Sequence, residues 1–446
     1  MSGNDFSYTP ERLRESARDV LQYAANSIAT ACEVDVSEGL GQSVTVRRQA
    51  VDTIEYNRDK GVGVTVYVGQ RRGHASTSDF SSAALRAAVD AALSIARFTA
   101  EDPCAGLPDE VLLAKRIPDL DLYHPWHLPV EEAIDIARRC EQAAFDVSPL
   151  VKNSEGATVS VQHSHFVSAN SLGFMGGYPS SQHYVACAVI AGKGSDMQRD
   201  DWYSAHRCAG DLAAPEAIGD YAARRALARL KARKIKTRHV PVLFDAPLAP
   251  TLIGNFVYAV SGGSLYRKSS FLQDSLGKQI FPDFMQIDEL PHLKGALGSS
   301  PFDDDGVATH DRHVVKDGVL QGYFLSTYSA RKLGMTTTGN AGGSHNLIVK
   351  PGRHDFKGLL KQMGTGLLVT ELLGQGVNYV TGDYSRGAAG YWVEKGEIAY
   401  PVHEITIAGN LKDMLRGISA VGNDVLARGS KQVGSILIDH MTVAGS

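Results

Sequence analysis

Residues 302–326 read FDDDGVATHDRHVVKDGVLQGYFLS, and this stretch decides what kind of structure the second half of the chain forms. Its aspartates and histidines are residue types of a metal site, because carboxylate and imidazole groups bind divalent ions. The same stretch holds two Asp-Gly steps, which favour the positive-φ positions of tight turns. On a strand, His310 and His313 would point to opposite faces and could not both reach one ion. The pattern therefore favours an antiparallel hairpin over a metal site.

Strand-like runs separated by glycines continue on both sides of this stretch and dominate the chain from residue 236 onwards. Only two short helices are predicted in this part, one at 247–260 and another near 410–418. The first is expected to pack through an apolar face, formed by Leu252, Ile253, Phe256, Val257 and Val260. Frequent glycines between short β-branched runs are typical of hairpin-rich proteins. We therefore expect mostly antiparallel β structure here.

The first part of the chain has a different texture, because helical patterns alternate with strand-like runs. The first helix is predicted to begin with Thr9 as its N-cap and Pro10 at the first helical position. We therefore expect an α+β fold. An N-terminal domain of antiparallel sheet with helices is predicted over residues 1–235, and a mostly antiparallel β domain over residues 236–446.

The composition is that of a globular protein with a sizeable core, because 43% of the 446 residues are hydrophobic and 21% are charged. The net charge of −4 argues against a nucleic-acid surface, which usually carries a basic excess. The first residues show no basic start followed by an apolar run, and no apolar run approaches the ~20 residues of a membrane span. We expect a cytoplasmic protein that binds neither nucleic acid nor membrane.

The sequence lacks several well-known catalytic motifs. The chain has no GxxxxGK[ST] and no GxSxG, and its single His-Glu pair, His403–Glu404, lies in a strand-like run. The five cysteines are scattered, form no CxxC pair and all precede residue 210. A disulfide framework or a zinc ribbon is therefore not expected.

Four stretches carry a family resemblance, and they follow one another along most of the chain. They are GVGVTVYVGQRRGHASTSDFS (61–81), MQRDDWYSAHR (197–207), FDDDGVATHDRHVVKDGVLQGYFLSTYSARKLGMTTTGNAGG (302–343) and ISAVGNDV (418–425). Together they resemble the TldD/PmbA family of metalloproteases and their partner subunits. The similarity is greatest to the PmbA branch, also called TldE.

The resemblance to this branch implies that the chain has no zinc site. TldD-type chains carry an HExxxH motif on a helix, with two zinc-binding histidines, a general-base glutamate and a further cysteine ligand near the C-terminus. The matching helix here, within 247–270, has Gly254, Asn255 and Ala259 at the motif positions, and no cysteine follows Cys208. No catalytic residue, metal ligand or cofactor is expected in this chain. The Asp-Asp-Gly stretch is similar in both branches, which implies a shared structural turn.

The resemblance further implies a subunit of a TldD/TldE-type zinc metalloprotease that degrades or trims unfolded or flexible peptides. A TldD-like partner chain would hold the zinc, and this chain, non-catalytic on its own, would form part of a chamber wall. A homodimer is a further possibility for the chain alone.

Two segments are candidates for the chamber wall, because they combine polar or aromatic side chains with glycine-rich or basic surroundings. Tyr266 and Arg267 in LYRKSS could line the wall, and Thr338, Asn340 and Ser344 in TTTGNAGGSHN could bond to peptide amides. Ordinary loops with satisfied local hydrogen bonds are the alternative for each residue.

Two other functions stay open at this point. The first is a self-sufficient homodimeric metallopeptidase. The candidate metal ligands for it would be Asp303, His310, His313, His345 and His354. The second is a regulatory binding protein, a modulator of DNA gyrase, as an older name of the family suggests. The acidic net charge weakens direct DNA binding.

Overall fold

The computed structural model describes residues 6–445, and the strands of this part of the chain form three sheets. One sheet is built from residues 31–206 and the other two from residues 238–444. Most neighbouring strands are antiparallel, so the α+β class predicted from the sequence is confirmed. The division into two domains at residue 236 stays a prediction. Across residues 6–445, no helix has both the length and the apolar character needed to cross a membrane.

The N-terminal sheet has seven strands that pair antiparallel throughout. Its strands are β1 (Ala31–Arg47), β2 (Ala50–Val68), β3 (Arg71–Thr77), β4 (Val151–Asn170), β5 (Met175–Gly176), β6 (Pro179–Ala191) and β7 (Gln198–His206). The order across the sheet is β3-β2-β1-β4-β6-β7, with β5 paired to β4. Burial alternates along β1, because successive side chains point to opposite faces and helices cover only one of them.

Four helices cover this face in two pairs: α1 (Pro10–Ala25) with α2 (Ser82–Phe98), and α3 (Val130–Val147) with α4 (Pro215–Ala228). The first pair packs on β1 to β3, and the second packs on β4 and β6. Thr9 caps α1, since its hydroxyl oxygen accepts a hydrogen bond from Arg12 N at 3.2 Å. The start of this helix predicted from the sequence is therefore confirmed.

The tip of the β1–β2 hairpin is held by a carboxylate from α3. Arg48 and Gln49 form the turn with φ of 52° and 63°, a conformation that non-glycine residues rarely adopt. Glu141 is fully buried, and its two oxygens accept hydrogen bonds from Arg48 N at 2.8 Å and Gln49 N at 2.7 Å. The Ser154 hydroxyl donates to the same carboxylate. The long hairpin is thus fixed at its free end as well as at its base.

Three buried histidines line the middle of the helix-covered face, where the segment 119–128 contacts β4 and β6. Trp126 N donates to His163 Nε2 at 3.2 Å, and His165 Nε2 lies 3.3 Å from a Glu38 oxygen. His183 Nε2 lies 2.8 Å from the carbonyl oxygen of His124. Within residues 6–445, His183 Nδ1 is buried without a hydrogen-bond partner. Burial lowers the pKa of His183, because a charged ring would lack water and an acceptor.

The C-terminal half contains two sheets that share one large core. Its strands are β8 (Arg238–Phe244), β9 (Ile287–Glu289), β10 (Arg312–Lys316), β11 (Val319–Leu320), β12 (Leu347–Val349), β13 (Gly366–Leu373), β14 (Asp383–Glu394), β15 (Glu397–Asn410), β16 (Ile418–Val421), β17 (Lys431–Gln432) and β18 (Ile436–Ala444). Its helices are α5 (Ala249–Ala259), α6 (Gly262–Tyr266), α7 (Thr327–Lys332), α8 (Phe356–Met363) and α9 (Leu411–Arg416). The sequence predicted α5 and α9, whereas α6, α7 and α8 were missed because each is only five to eight residues long.

The larger of these sheets closes on itself. Its order is β15-β14-β13-β8-β18-β16, and β15 also pairs with β18. The smaller sheet has the order β11-β10-β9-β12-β17. The buried face of α5 belongs to the core between them, where Leu252, Ile253 and Phe256 are inaccessible to solvent.

The stretch 302–326 forms turns and a short hairpin, as its sequence predicts. Asp317 and Gly318 join β10 to β11 with φ of 49° and 74°, and Gly306 has a φ of 79°. The second strand, β11, is short and ends at Leu320. Beyond it, the Tyr323 carbonyl accepts from the Arg312 guanidinium at 2.8 Å instead of from a strand.

Glu141→Gln should lower the free energy of unfolding by about 1–3 kcal/mol, because an amide offers one acceptor where the carboxylate serves several donors. Urea denaturation measures this change. Glu132→Gln, an exposed substitution on the same helix, is the matched control and should leave stability unchanged. Equal stability of the two variants would contradict the role assigned to Glu141.

His183→Gln should flatten the pH dependence of stability below about pH 6.5, the ordinary histidine pKa. The unfolded chain takes up this proton more readily than the folded chain, so the wild-type protein loses stability as the pH falls below that value. Unfolding free energies measured between pH 7.5 and pH 5 should therefore fall less in the variant. His310→Gln, at an exposed position, should keep the wild-type slope. A variant slope equal to that of the wild type would refute the assignment.

Candidate functional site

The helix α5 occupies the place where the family resemblance locates a zinc motif. Leu252, Ile253, Phe256 and Val260 are fully buried, and Val257 packs against them, which confirms the apolar packing face predicted from the sequence. The opposite face, which carries Thr251, Gly254 and Tyr258, is partly exposed to solvent. We refer to it as the outer face of α5.

The three motif positions differ in their surroundings. A Cβ added at Gly254 would meet no atom within 4 Å, so there is open space above this residue. Asn255 is largely buried, and its side-chain oxygen accepts a hydrogen bond from the Tyr379 hydroxyl at 2.8 Å. Ala259 is inaccessible to solvent. A hydrogen, a bonded amide and a buried methyl group do not form a zinc site, so the residues present do not fit this metal.

Two tyrosines form an aromatic platform on the outer face of α5. Tyr258 is 47% exposed, and its ring lies 4.0 Å from the ring of Tyr379 between centroids. Tyr379 comes from the loop between β13 and β14, and burial raises its pKa, so the hydroxyl keeps its proton and donates to Asn255. Sequence reasoning missed Tyr379, whose only signal is an aromatic residue in the glycine-punctuated run GQGVNYVTG.

Tyr266 and Arg267 lie next to each other near α7. The Arg267 guanidinium donates to the Tyr266 hydroxyl at 3.0 Å, and the ring of Tyr266 meets the ring of Tyr328 edge-on at 5.8 Å. The Tyr328 hydroxyl donates at 2.8 Å to Asp102, which belongs to the N-terminal half. Arg267 is exposed, and Tyr266 is partly so. These two side chains are available for contacts at the protein surface.

The loop 336–346 has a buried polar network at its centre. Asn340 donates to Glu289 at 2.8 Å and accepts from Arg312 at 3.1 Å. The Thr338 hydroxyl accepts from Leu325 N and lies 2.8 Å from the Asn340 side-chain oxygen. The buried Glu289 forms an ion pair with the partly buried Arg312 at 2.7 Å. The polar atoms of Thr338 and Asn340 are therefore engaged within the loop, and Ser344 lies half-buried beside it.

The aspartates of 302–326 accept hydrogen bonds from the backbone. Asp303 is buried and accepts from the N–H groups of Asp305, Val307 and Ala341 at 2.9–3.0 Å. Asp305 accepts from Thr327 N at 2.8 Å, at the start of α7. These contacts hold the turn and join it to neighbouring segments.

The remaining histidines considered from the sequence lie in separate surroundings. His313 is paired with Asp288 at 2.5 Å, and His345 Nε2 lies 2.9 Å from the Gly339 carbonyl. His310 lies outside the strands and is exposed, as is His354. Among residues 6–445, no group of three or more His, Cys, Asp or Glu side chains is arranged to hold a metal ion.

Comparison with known families matches three consecutive parts of the chain. Residues 32–96 match domain 1 of the PmbA/TldA metallopeptidases, residues 123–230 match the central domain, and residues 237–445 match the C-terminal domain. The fold and the family resemblance therefore agree along most of the sequence.

Individual relatives match over nearly the full length. The metalloprotease PmbA of Escherichia coli O157:H7 is 49% identical over 97% of this chain and 96% of its own length. The PmbA homolog of Haemophilus influenzae is 46% identical over 98% and 97%. The TldD homolog of the same organism is 23% identical over 82% of this chain and 80% of its own length.

Solved structures show the same architecture. A putative modulator of DNA gyrase from Bacteroides thetaiotaomicron superposes with a TM-score of 0.93 at 27% identity, covering 98% of this chain and all of that one. A second such protein, from Thermotoga maritima, has a TM-score of 0.88 at 28% identity, covering 97% and 100%. TldE from Thermococcus kodakarensis shares the fold, with a TM-score of 0.80 at 19% identity over 96% and 100%. From these matches, the chain belongs to the PmbA/TldD family.

Proposed function

We propose that this chain is the PmbA/TldE-like subunit of a two-chain TldD/TldE-type zinc metalloprotease that degrades or trims unfolded or flexible peptides in the cytoplasm. A TldD-like partner supplies the zinc and the general base. This chain supplies part of the wall of the chamber in which the peptide is cut.

The observation that carries the proposal is the set of residues at the three motif positions of α5. Hydrolysis at a zinc centre needs nitrogen, sulfur or oxygen ligands around the ion and a base near the bound water. Gly254 and Ala259 have no ligating side chain, and the Asn255 oxygen already accepts a hydrogen bond from Tyr379. No cysteine follows Cys208. The chemistry is therefore assigned to the partner.

The outer face of α5 supports a role in holding an extended peptide. The space above Gly254 admits a peptide backbone close to the helix, and the Tyr258–Tyr379 platform offers apolar area for a side chain. Tyr266 and Arg267 have surface positions suited to the same wall. Thr338 and Asn340 would act indirectly, by fixing the shape of their loop, because their polar atoms are engaged inside it. Ser344 stays a candidate for direct contact.

Two other functions must be distinguished from the proposed one. A self-sufficient metallopeptidase requires a metal site in this chain. A regulatory binding protein is suggested by the description of two solved relatives as putative modulators of DNA gyrase. Both rivals differ from the proposal in what the isolated chain does.

The test is co-expression with the TldD-like chain of the same genome, followed by cleavage of fluorescein-labelled β-casein, a disordered substrate. We expect the two chains to copurify and to cleave casein in a chelator-sensitive way, and we expect this chain alone to be inactive and to hold no stoichiometric zinc. Replacing the motif glutamate of the partner by glutamine should abolish cleavage without dissociating the complex.

Chelator-sensitive cleavage by the lone chain would establish the self-sufficient enzyme instead. Failure to copurify, together with binding to purified gyrase, would establish the regulatory role.

The surroundings of α5 also predict how it responds to substitution. Gly254→Ala should raise the free energy of unfolding by about 0.5–1 kcal/mol, because the space is free and alanine is the better helix former. Ala259→His should lower it by about 1–3 kcal/mol, because the site is fully packed. Thermal denaturation with purified variants measures both changes.

The variant Gly254→His/Asn255→Glu/Ala259→His should consequently fail to gain zinc-dependent cleavage, since the residues that would orient the ligands are missing. Zinc content and casein cleavage are the readouts. Zinc-dependent turnover by this variant would contradict the packing argument.

A further inference from the structure

A cavity of about 510 Å³ lies where α4 and β7 of the N-terminal half meet the larger sheet of the C-terminal half. Its lining includes Trp202 from the stretch 197–207 and Asp424 from the stretch 418–425. Two of the four stretches that carry the family resemblance therefore meet here, and neither has a part in the proposed function. Cavities of this volume are typical of small-molecule sites.

The walls of this cavity are largely apolar and aromatic. The rings of Trp202 and Tyr221 lie 4.4 Å apart between centroids. Leu368 and Tyr391 line the cavity from the C-terminal sheet. Tyr221 and Ile398 are 44% and 47% exposed, so the cavity is open to solvent beside them. Such walls offer apolar and aromatic surface to the body of a ligand.

Asp245, at the end of β8, brings a largely buried carboxylate to the same cavity. Its Oδ1 accepts a hydrogen bond from Ala246 N at 3.0 Å. Its Oδ2 lies 3.8 Å from Arg225 Nη1, which is beyond hydrogen-bond distance, and no other donor among residues 6–445 reaches it. Burial raises the pKa of Asp245, because the charged form loses water there. A donor on a ligand would supply the missing hydrogen bond.

The charges around the cavity favour a cation over an anion. Arg225 donates to Asp200 at 2.9 Å, and Arg224 donates to Asp220 at 2.7 and 2.9 Å, so an anion would have to displace a carboxylate from either arginine. Beside the Arg224–Asp220 pair, four carboxylates face three guanidinium groups, namely Asp200, Asp245, Glu371 and Asp424 against Arg225, Arg229 and Arg428. One negative charge is therefore in excess, and a ligand cation would balance it.

The aromatic wall is held in place before any ligand arrives. The Arg428 guanidinium lies 3.5 Å from the centroid of the Trp202 ring, and the Arg225 guanidinium lies 5.3 Å from it. These cation–π contacts fix the orientation of the indole. Little conformational freedom is therefore lost on binding.

We infer that this cavity binds a small organic cation, a primary amine whose ammonium group donates to Asp245 and whose apolar body packs against Trp202, Tyr221 and Tyr391. The inference goes beyond the proposed function, because it needs neither zinc nor a peptidase partner. Since the walls come from both halves of the chain, the ligand would also stabilise the contact between them.

Isothermal titration calorimetry of the purified full-length chain with 2-phenylethylamine tests the ligand class. This probe carries an ammonium group two carbons from a phenyl ring. The matched compounds are 2-phenylethanol, which is neutral, and phenylacetate, which is an anion. We expect the amine to bind about tenfold more tightly than either, because only its ammonium group makes a charge-assisted hydrogen bond to the carboxylate.

Two variants test the position of the ligand. Asp245→Asn should weaken amine binding about tenfold, because the amide still accepts from Ala246 N but has no charge. Tyr221→Ala should weaken it about threefold by removing part of the aromatic wall. Asp90→Asn, at an exposed position on α2, and Tyr56→Ala, at a 60% exposed position, are the matched controls and should bind as wild type. Circular dichroism checks that each variant folds.

Absence of 2-phenylethylamine binding at concentrations up to about 5 mM would overturn the inference. Equal affinities for the amine and the alcohol would also overturn it, because the carboxylate would then contribute nothing. Binding that survives both Asp245→Asn and Tyr221→Ala would place the ligand elsewhere, with the same consequence. If Asp245→Asn does not fold, Tyr221→Ala and the matched compounds still decide. None of these results depends on casein cleavage, so the proposed function stands or falls separately.

Discussion

Four buried carboxylates, Glu38, Glu141, Glu289 and Asp303, hold the fold together by accepting hydrogen bonds from the backbone of other segments. A carboxylate removed from water is costly unless donors replace the lost hydration. The N–H groups of turns and loops are equally costly when buried without an acceptor. Each contact satisfies both requirements at once. The loops between the sheets can therefore be long and still have one defined conformation.

Two of these carboxylates determine the surroundings of α5. Glu289 and Asp303 fix the loop 336–346 and the turn before β10. From there the chain reaches Phe324, whose N–H donates to the Val260 carbonyl at 3.1 Å and whose carbonyl accepts from Gly262 N at 2.8 Å. The end of α5 is thus bonded to the region that carries the acidic stretch. The acidic stretch has the residue types of a metal site, but in the structure Asp303 and Asp305 accept hydrogen bonds from neighbouring backbone N–H groups.

The sequence alone predicts the features whose causes are local. Thr9 and Pro10 mark the start of α1, and the Asp317–Gly318 step marks the turn after β10, because capping and positive φ depend on nearby residues. The α+β class and the apolar face of α5 follow from periodicity in the same way.

Other features depend on residues far apart in the chain and could not be predicted. The Arg48–Gln49 turn has no glycine and depends on Glu141, which lies 93 and 92 residues away. Tyr379 reaches Asn255 across 124 residues. Whether a polar loop residue such as Asn340 faces solvent or a buried partner is likewise decided by tertiary packing. The sequence therefore could not show that the polar atoms of Thr338 and Asn340 are bonded inside their own loop.

The closed sheet of the C-terminal half has a consequence for biosynthesis. β8 is the first strand of this sheet to leave the ribosome and ends at Phe244, whereas its neighbours β13 and β18 begin only at Gly366 and Ile436. The N-terminal sheet can finish as soon as β7 has emerged, whereas β8 must wait for β18. Such high contact order slows folding and leaves apolar strands exposed during translation. A nascent chain stalled before Ile436 would therefore expose these apolar strands and bind chaperones.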